Sequence, residues 1–178
     1  MYDTILVPVD GSAPSDAAAD RAIAMARDTE ATLSVLSVVD VPRLSAAGLD
    51  TEALLDGYEA EAERHAAAVA DRAREAGVDV ETAVRRDSPY QAILDQIDAV
   101  DADLVVMGSH GRHGLQRYLL GSTTERVLRL ATIPVLVLRG NDSSYHAPDA
   151  AHRDAAGHDV ETPADDADAP NEFDTADE

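Results

Sequence analysis

Cysteine, lysine and tryptophan are missing from this chain, and the first two absences each exclude a kind of chemistry. The 178 residues contain no cysteine and no lysine. Without cysteine there are no disulfides, no thiolate nucleophiles and no cysteine-ligated zinc. Without lysine, the P-loop pattern that ends in Gly-Lys cannot occur. Any phosphate site must therefore use main-chain N–H groups, hydroxyls, a metal or arginine.

Long apolar runs and basic clusters are also lacking. No apolar stretch approaches the roughly 18 to 20 residues that span a bilayer, and no basic segment precedes the strand-like Ile5-Leu6-Val7. These absences predict a soluble, cytoplasmic protein. The 14 basic residues are all arginines and face 35 acidic residues, for a net charge of -21. This balance argues against a nucleic-acid partner and against binding to anionic membranes.

The acidic charge divides the chain into two predicted parts. Residues 1–139 hold 23 acids and 13 arginines, net -10, whereas residues 140–178 hold 12 acids and one arginine, net -11. The second part has almost no Leu, Ile or Val and is predicted to be a disordered acidic tail after a folded domain. Acid excess without lysine suits a halophilic protein, because salt screens self-repulsion. GC-rich codon usage is an alternative cause of the missing lysine.

Residues 1–139 alternate between strand-like and helix-like periodicity. Short apolar runs predict five strands, and amphipathic stretches with caps predict four helices between them. Residues 40–50, with Pro42 and Gly48, are interpreted as a loop. The predicted strands are 5–9, 32–39, 78–84, 103–108 and 134–138, and the predicted helices are 12–28, 51–76, 88–100 and 122–131.

Strands that alternate with helices predict a three-layer, doubly wound α/β domain with a five-stranded parallel sheet. Ligands bind such sheets at the carboxyl edge, where the winding direction reverses. For the strand order 3-2-1-4-5, that point lies between strands one and four. The long helix 51–76 carries an apolar stripe that we interpret as packing, formed by Leu54, Tyr58, Ala62, His65, Val69 and Ala73.

The two strand ends that meet at this point both carry glycine. Strand one ends in Val9-Asp10-Gly11, and strand four runs into the pattern Gly108-x2-Gly111-x9-Gly121-Ser122. Gly108 and Gly111 let the main chain approach a ligand without a Cβ, and Gly121 opens a helix whose free N–H groups favour anions. The pattern indicates a phosphate cradle, although Asp10-Gly11 is also a common turn in which the carboxylate bonds its own main chain.

On these residues the sequence resembles the universal stress protein (UspA-like) family, in its members with the ATP-binding pattern Gly-x2-Gly-x9-Gly-(Ser/Thr). The resemblance covers about residues 1–139 and includes the opening Ile-Leu-Val-Pro-Val-Asp-Gly-Ser. It implies a Rossmann-like fold of the adenine nucleotide alpha hydrolase type, with strand order 3-2-1-4-5. The implied ligand is ATP, with Mg²⁺ as an additional cofactor.

The resemblance also implies individual contacts. Pro8 and Asp10 would meet the adenosine part, with Asp10 on the ribose or on a metal. The main chain of Val38 or Val39 would face the adenine edge, and Met107 would pack beside the base. The residues implied to line the phosphates are Gly108, His110, Gly111, Gly121, Ser122 and Thr123.

Three functions fit these features. The leading hypothesis is an ATP-binding regulatory protein of the stress response. A slow Mg²⁺-dependent ATP hydrolase is an alternative, but phosphoryl transfer needs a metal clamp and a group that places water. For these roles the sequence offers only Asp10 and His110. A non-catalytic interaction module is the third, and the family resemblance implies a homodimer through strand 134–138, whose apolar edge is otherwise an association hazard.

Overall fold

The computed structural model describes residues 2–109 and 120–139, and these form five strands and five helices. The predicted tail, residues 140–178, lies outside the described residues. None of the helices within the described ranges combines the length and the hydropathy that a membrane span requires. The elements are β1 Thr4–Val9, α1 Ala13–Thr29, β2 Thr32–Asp40, α2 Val41–Ala46, α3 Glu52–Glu75, β3 Val80–Asp87, α4 Pro89–Ala99, β4 Leu104–Gly108, α5 Ser122–Leu130 and β5 Val135–Leu138.

The five strands form one parallel sheet in the order β3-β2-β1-β4-β5. Central strand β1 pairs with β2 on one side and with β4 on the other, so that Ile5 lies between Leu33 and Leu104. The chain winds outward from β1 to β3 and then returns to place β4 and β5 on the opposite side. This confirms the predicted order, with the reversal between β1 and β4.

Alternate side chains of the strands enter two separate cores. Ile5, Val7 and Val9 of β1 face α1 and α3, where they pack with the buried alanines of both helices. Leu6 faces the other way, toward α4 and α5, together with Met107 of β4. Because both faces of the central strands are covered, the strands are nearly continuous in apolar residues. The three-layer architecture is therefore confirmed.

Several helix boundaries follow their sequence signals. The Ser12 hydroxyl accepts a hydrogen bond from the Ser15 N–H at 3.4 Å and caps α1. Pro89 begins α4, where its missing N–H is not needed. Gly77 follows the end of α3 with a φ of +77°, the left-handed conformation that glycine adopts most easily.

The predicted loop at residues 40–50 is partly wrong, because Val41–Ala46 form the short helix α2. The Asp40 carboxylate accepts a hydrogen bond from the Arg43 N–H at 3.2 Å, and Pro42 lies in the first turn. Gly48 follows the helix with a φ of +69°. Proline and glycine thus mark the start and the stop of a helix here rather than an irregular loop.

The apolar stripe of α3 is also shifted from its prediction at the start of the helix. Leu54 is 42% exposed, whereas its neighbour Leu55 is 8% exposed and packs with Val39 and Ala62. Strand β3 runs to Asp87 rather than to residue 84, because its charged last residues continue the pairing with β2.

Arg86, at the end of β3, fixes the first half of α3 by ion pairs. Its guanidinium lies 2.5 Å from Glu59, 3.1 Å from Glu52 and 2.8 Å from Asp56. These hydrogen bonds raise the pKa of Arg86 above its ordinary value, and the hydrogen bond to Glu59 has the largest effect. Since the three acids lie on successive turns of one face of α3, a single cation orients that face toward the sheet.

Asp103 joins the starts of β1 and β4 at the opposite edge of the sheet. One oxygen of its carboxylate, Oδ2, accepts hydrogen bonds from the N–H groups of Thr4 at 2.9 Å and Asp3 at 2.8 Å. These main-chain donors lower the pKa of Asp103. The charged carboxylate therefore completes the hydrogen bonding where β1 begins.

Candidate functional site

A cavity of about 770 Å³ opens at the carboxyl ends of β1, β2 and β4. This is the place that general rules for doubly wound sheets assign to a ligand. Its volume falls within the roughly 300–1,000 Å³ that small-molecule sites occupy. The strand ends form one side, the first turn of α5 forms a second, and α2 with α3 forms a third.

Nine of the eleven residues that the sequence analysis proposes for the site line this cavity. They come from four segments of the chain, namely the ends of β1, β2 and β4 and the start of α5. The remaining two, His110 and Gly111, lie outside the described residues. The nine are Pro8, Asp10, Val38, Val39, Met107, Gly108, Gly121, Ser122 and Thr123.

The turn after β1 has a local role as well as a place in the cavity. The Asp10 carboxylate accepts hydrogen bonds from the Ser12 hydroxyl at 2.6 Å and from the Ser12 N–H at 3.1 Å. The Ser15 hydroxyl accepts a hydrogen bond from the Asp10 N–H at 3.1 Å. Asp10 is thus a turn residue whose side chain is held in a fixed position beside the cavity.

The first turn of α5 is tied to the end of β4. The Thr124 hydroxyl donates to the Gly108 carbonyl at 3.0 Å, and the Gly121 N–H donates to the Ser109 carbonyl at 2.8 Å. Among the described residues no side chain caps α5. Ser122 and Thr123 line the cavity, so the N–H end of this helix, which attracts anions, lies at the cavity wall.

Gly108 has a packing reason that the sequence did not reveal. A Cβ at this position would lie 2.9 Å from the carbonyl carbon of Pro14 and 3.0 Å from its oxygen. The start of α1 therefore lies against the main chain of β4, and any side chain at position 108 would displace it. The absence of a Cβ at Gly108 serves helix packing, beside whatever approach it gives a ligand.

The wall formed by α2 and α3 was not predicted. Tyr58, Ala62 and His65 lie on the α3 stripe that the sequence analysis assigned to packing alone, yet all three line the cavity. Arg43 and Leu44 of α2 join them. For the α3 part of this wall, the signal in the sequence was an aromatic residue and a histidine within an otherwise alanine-rich stripe. The α2 part had no such signal, because the position of α2 depends on tertiary contacts.

His65 also touches the turn after β1. A Cβ at Gly11, whose φ is +74°, would lie 2.5 Å from Nε2 of His65 and 2.8 Å from its Cε1. The imidazole therefore packs directly on the main chain beside Asp10. His65 also borders a smaller cavity of about 220 Å³ with Asp16 and Val69.

The charged residues of the described wall are mostly acidic. Asp10, Asp40 and Glu61 line the main cavity, and Arg43 is the one arginine among its described lining residues. Within residues 2–109 and 120–139, no group of three or more His, Asp or Glu side chains is arranged to hold a metal ion. A divalent cation would thus need ligands from elsewhere in addition to Asp10, such as the phosphates of a nucleotide.

The fold and the cavity together define a doubly wound α/β domain with a cavity at its switch point. The family model described as "Universal stress protein family" matches residues 1–139. The Universal stress protein MJ0531 of Methanocaldococcus jannaschii is 37% identical over 142 residues, which cover 78% of this chain and 83% of that protein. The chain therefore belongs to the universal stress protein family.

Solved structures share this fold. The structure of hypothetical protein MJ0577 matches with a TM-score of 0.71 at 27% identity, covering 78% of this chain and 96% of that one. A universal stress protein solved in complex with cAMP matches with a TM-score of 0.56 at 30% identity, covering 78% and 98% of the two chains. That relative binds an adenine nucleotide.

Proposed function

We propose that this protein binds ATP in the cleft at the carboxyl ends of β1, β2 and β4, and that the bound nucleotide regulates its state in a stress response. The triphosphate lies at the first turn of α5, on the N–H groups and hydroxyls of Ser122 and Thr123. The adenosine part extends past Asp10 toward Val38 and Val39, with Met107 beside the base.

The observation that carries the proposal is that nine of the residues implied by the glycine pattern and the family resemblance line one cavity. They come from four segments of the chain. The cAMP complex of a relative that is 30% identical supports an adenine nucleotide as the class of ligand. The absence of lysine in the chain leaves the helix N-terminus as the natural anion contact.

Equilibrium binding tests this proposal. A fluorescent ATP analogue titrated into the full chain in molar salt is expected to saturate with one site per chain. Gly121→Val should weaken binding at least tenfold, about 1.4 kcal/mol, because a branched side chain at the start of α5 obstructs the phosphates.

The matched control is Gly57→Val. Gly57 lies in α3 and a Cβ there meets nothing within 4 Å, so this variant adds the same side chain away from the cleft. Wild-type affinity is expected for it. The absence of saturable binding by the wild-type chain would contradict the proposal, and so would a Gly121→Val variant that binds with wild-type affinity.

Hydrolysis is a separate question from binding. Asp10 is the carboxylate that faces a Mg²⁺ ion brought by the triphosphate in this proposal, and its Oδ1 atom already accepts two hydrogen bonds from Ser12. Phosphoryl transfer also needs a group that orients water. A time course of ADP release, with Asp10→Ala as the control, distinguishes a slow hydrolase from a binding protein.

The composition supports further parts of the proposal. Residues 1–139 form the nucleotide-binding domain, and the acidic segment 140–178 is an appendage to it. The net charge of -21 without lysine fits a cytoplasm with concentrated salt, in which repulsion among carboxylates is screened. The proposal also includes a homodimer that forms through β5.

A further inference from the structure

Nearly all of the arginines within the described residues have partners, which makes the exceptions informative. Eleven arginines lie within the described residues, and the side chains of Arg43 and Arg139 have no hydrogen bond, ion pair or ring contact with described residues. Arg139 lies at the end of a described range, whereas Arg43 lines the cavity. The nine with such an interaction are Arg21, Arg27, Arg64, Arg72, Arg74, Arg85, Arg86, Arg126 and Arg129.

The isolation of Arg43 is not caused by a lack of acids. Asp40 lies three residues earlier, but its carboxylate accepts a hydrogen bond from the main-chain N–H of Arg43 at 3.2 Å and caps α2. Asp10 and Glu61 also line the cavity. The exposed Arg43 side chain thus lines the same cavity as three carboxylates, and its guanidinium has no ion pair with described residues.

The position of Arg43 along the cleft indicates which end of a ligand it meets. Arg43 follows the carboxyl end of β2, whereas Ser122 begins α5 beside β4. β1 lies between β2 and β4, and neighbouring strands are about 4.8 Å apart, so these ends are separated by roughly 10 Å. If phosphates occupy the α5 end, the other end of the nucleotide lies at Arg43.

The neighbours of Arg43 suit a flat, aromatic group rather than an anion. Leu44, Leu49 and Tyr58 line the same side of the cavity, and Leu44 and Tyr58 pack on the small apolar cluster around Val39. A guanidinium is planar, weakly hydrated and stacks on aromatic faces. Such a wall of apolar, phenolic and guanidinium groups provides a surface for a base.

We propose that Arg43 contacts the base, with its guanidinium stacked on the purine ring of the bound nucleotide, opposite the main chain of Val38 and Val39. This inference rests on the proposed function, which supplies the nucleotide. Stacking reads the face of a base and not its edge, because every base has a π-face. Arg43 therefore adds affinity for purines in general and leaves the choice of adenine to the main chain of β2.

Calorimetric titration of the full chain with adenosine and with ATP tests this assignment. Arg43→Ala is expected to weaken both ligands by the same factor, about tenfold, because the base is common to both. Arg43→Lys keeps the positive charge but replaces the planar guanidinium with an ammonium group. It should therefore weaken the binding of both ligands by about the same factor as Arg43→Ala. Arg27→Ala removes one arginine from the far end of α1, where it pairs with Asp28, and is expected to bind like the wild type.

The outcomes separate the assignment from the proposed function. Equal losses for adenosine and ATP support base stacking. A loss of affinity for ATP alone, unchanged affinities, or recovery of ATP affinity in Arg43→Lys would overturn the assignment of Arg43 to the base. In each of these cases the wild-type chain still binds nucleotide, so the proposed function stands. If the wild-type chain binds neither ligand, the proposed function fails and this inference fails with it. Circular dichroism is expected to show the same fold in each variant, since α2 contains no buried residue.

Discussion

At the scale of single residues, Gly11 is required both by its conformation and by its neighbour. Its φ of +74° lies in the left-handed region, and a Cβ would meet the His65 imidazole at 2.5 Å from Nε2. The two costs are separable, because Gly77 has a φ of +77° with nothing within 4 Å of its missing Cβ. A comparison of the two positions isolates the contact with His65.

We therefore expect Gly11→Ala to destabilise the protein more than Gly77→Ala. Gly77→Ala should lose about 1–2 kcal/mol from backbone strain, and Gly11→Ala should lose that amount plus about 1–3 kcal/mol from overpacking. Urea unfolding followed by circular dichroism measures both.

A double mutant provides the control. In a His65→Ala background the ring is gone, so Gly11→Ala should lose only the strain component. Equal losses with and without the imidazole would contradict the packing of His65 on this turn.

At the scale of secondary-structure elements, Asp103 joins β1 to β4 through its charge. Its pKa is lowered by the N–H groups of Thr4 and Asp3, so the folded state favours the ionised form. The stabilisation is present above the ordinary carboxyl pKa of about 4 and is lost as the pH falls through the lower pKa of the folded state.

Asp103→Asn should therefore lower the urea midpoint at pH 7, and the difference from the wild type should shrink as the pH falls below about 4. Asp98→Asn removes an exposed carboxylate of α4 and corrects for the change in net charge. A difference between the wild type and Asp103→Asn that stays constant from pH 7 to pH 3 would contradict the role of the carboxylate charge.

The elements also show how far the sequence predicts the structure. Local signals suffice at Gly77 and Pro89, which mark the end of α3 and the start of α4. The alternation of periodicities predicts a parallel sheet, and the strand order 3-2-1-4-5 is what the family resemblance implies. Helix α2 was missed because Pro42 and Gly48 have the same composition signal in a loop and at helix ends. The hydrogen bonds from the Arg43 N–H to Asp40 and from the Ala47 N–H to the Arg43 carbonyl mark this segment as a helix.

The candidate site divides along the same line. Residues at the ends of β1 and β4 could be predicted from topology, whereas Val38 and Val39 at the end of β2 were implied only by the family resemblance. The wall formed by α2 and α3 could not be predicted, because a helical stripe that faces a cavity has the same period as one that faces a core. Tyr58 and His65 therefore read as packing residues, although they line the cleft.

At the scale of the whole molecule, β5 is an edge strand with half-buried side chains. The carbonyls of Pro134 and Leu138 accept hydrogen bonds from β4, so the main chain of the alternating residues Val135 and Val137 faces away from β4. Leu128 and Leu130 of the adjoining α5 are 43% and 52% exposed. This edge suits pairing with a second copy.

Sedimentation of the full chain in molar salt is expected to show a species twice the 18.8 kDa of the monomer. Val137→Pro removes an N–H group that faces away from β4. Because this group makes no hydrogen bond to β4, the variant should shift the equilibrium to monomers and keep the circular dichroism spectrum of the wild type. Leu128→Ala, which leaves the strand intact, should weaken the dimer less. A wild-type chain that sediments only at 18.8 kDa would contradict the dimer.

The net charge of -21 leads to a second expectation at this scale. Added KCl should raise the thermal midpoint of the full chain, with most of the rise below 1 M, where the screening length falls from about 10 Å at 0.1 M to about 3 Å. Differential scanning calorimetry measures this. A midpoint that is flat or falls over that range would contradict adaptation to high salt.

The hydrogen bond from the Gly121 N–H to the Ser109 carbonyl, 2.8 Å long, has a consequence for the position of α5. It joins the residue before α5 to the residue after β4, so the start of the helix is anchored to the edge of the sheet that carries the cavity. Substitutions elsewhere in α5 that keep this hydrogen bond should therefore leave the first turn of the helix in place.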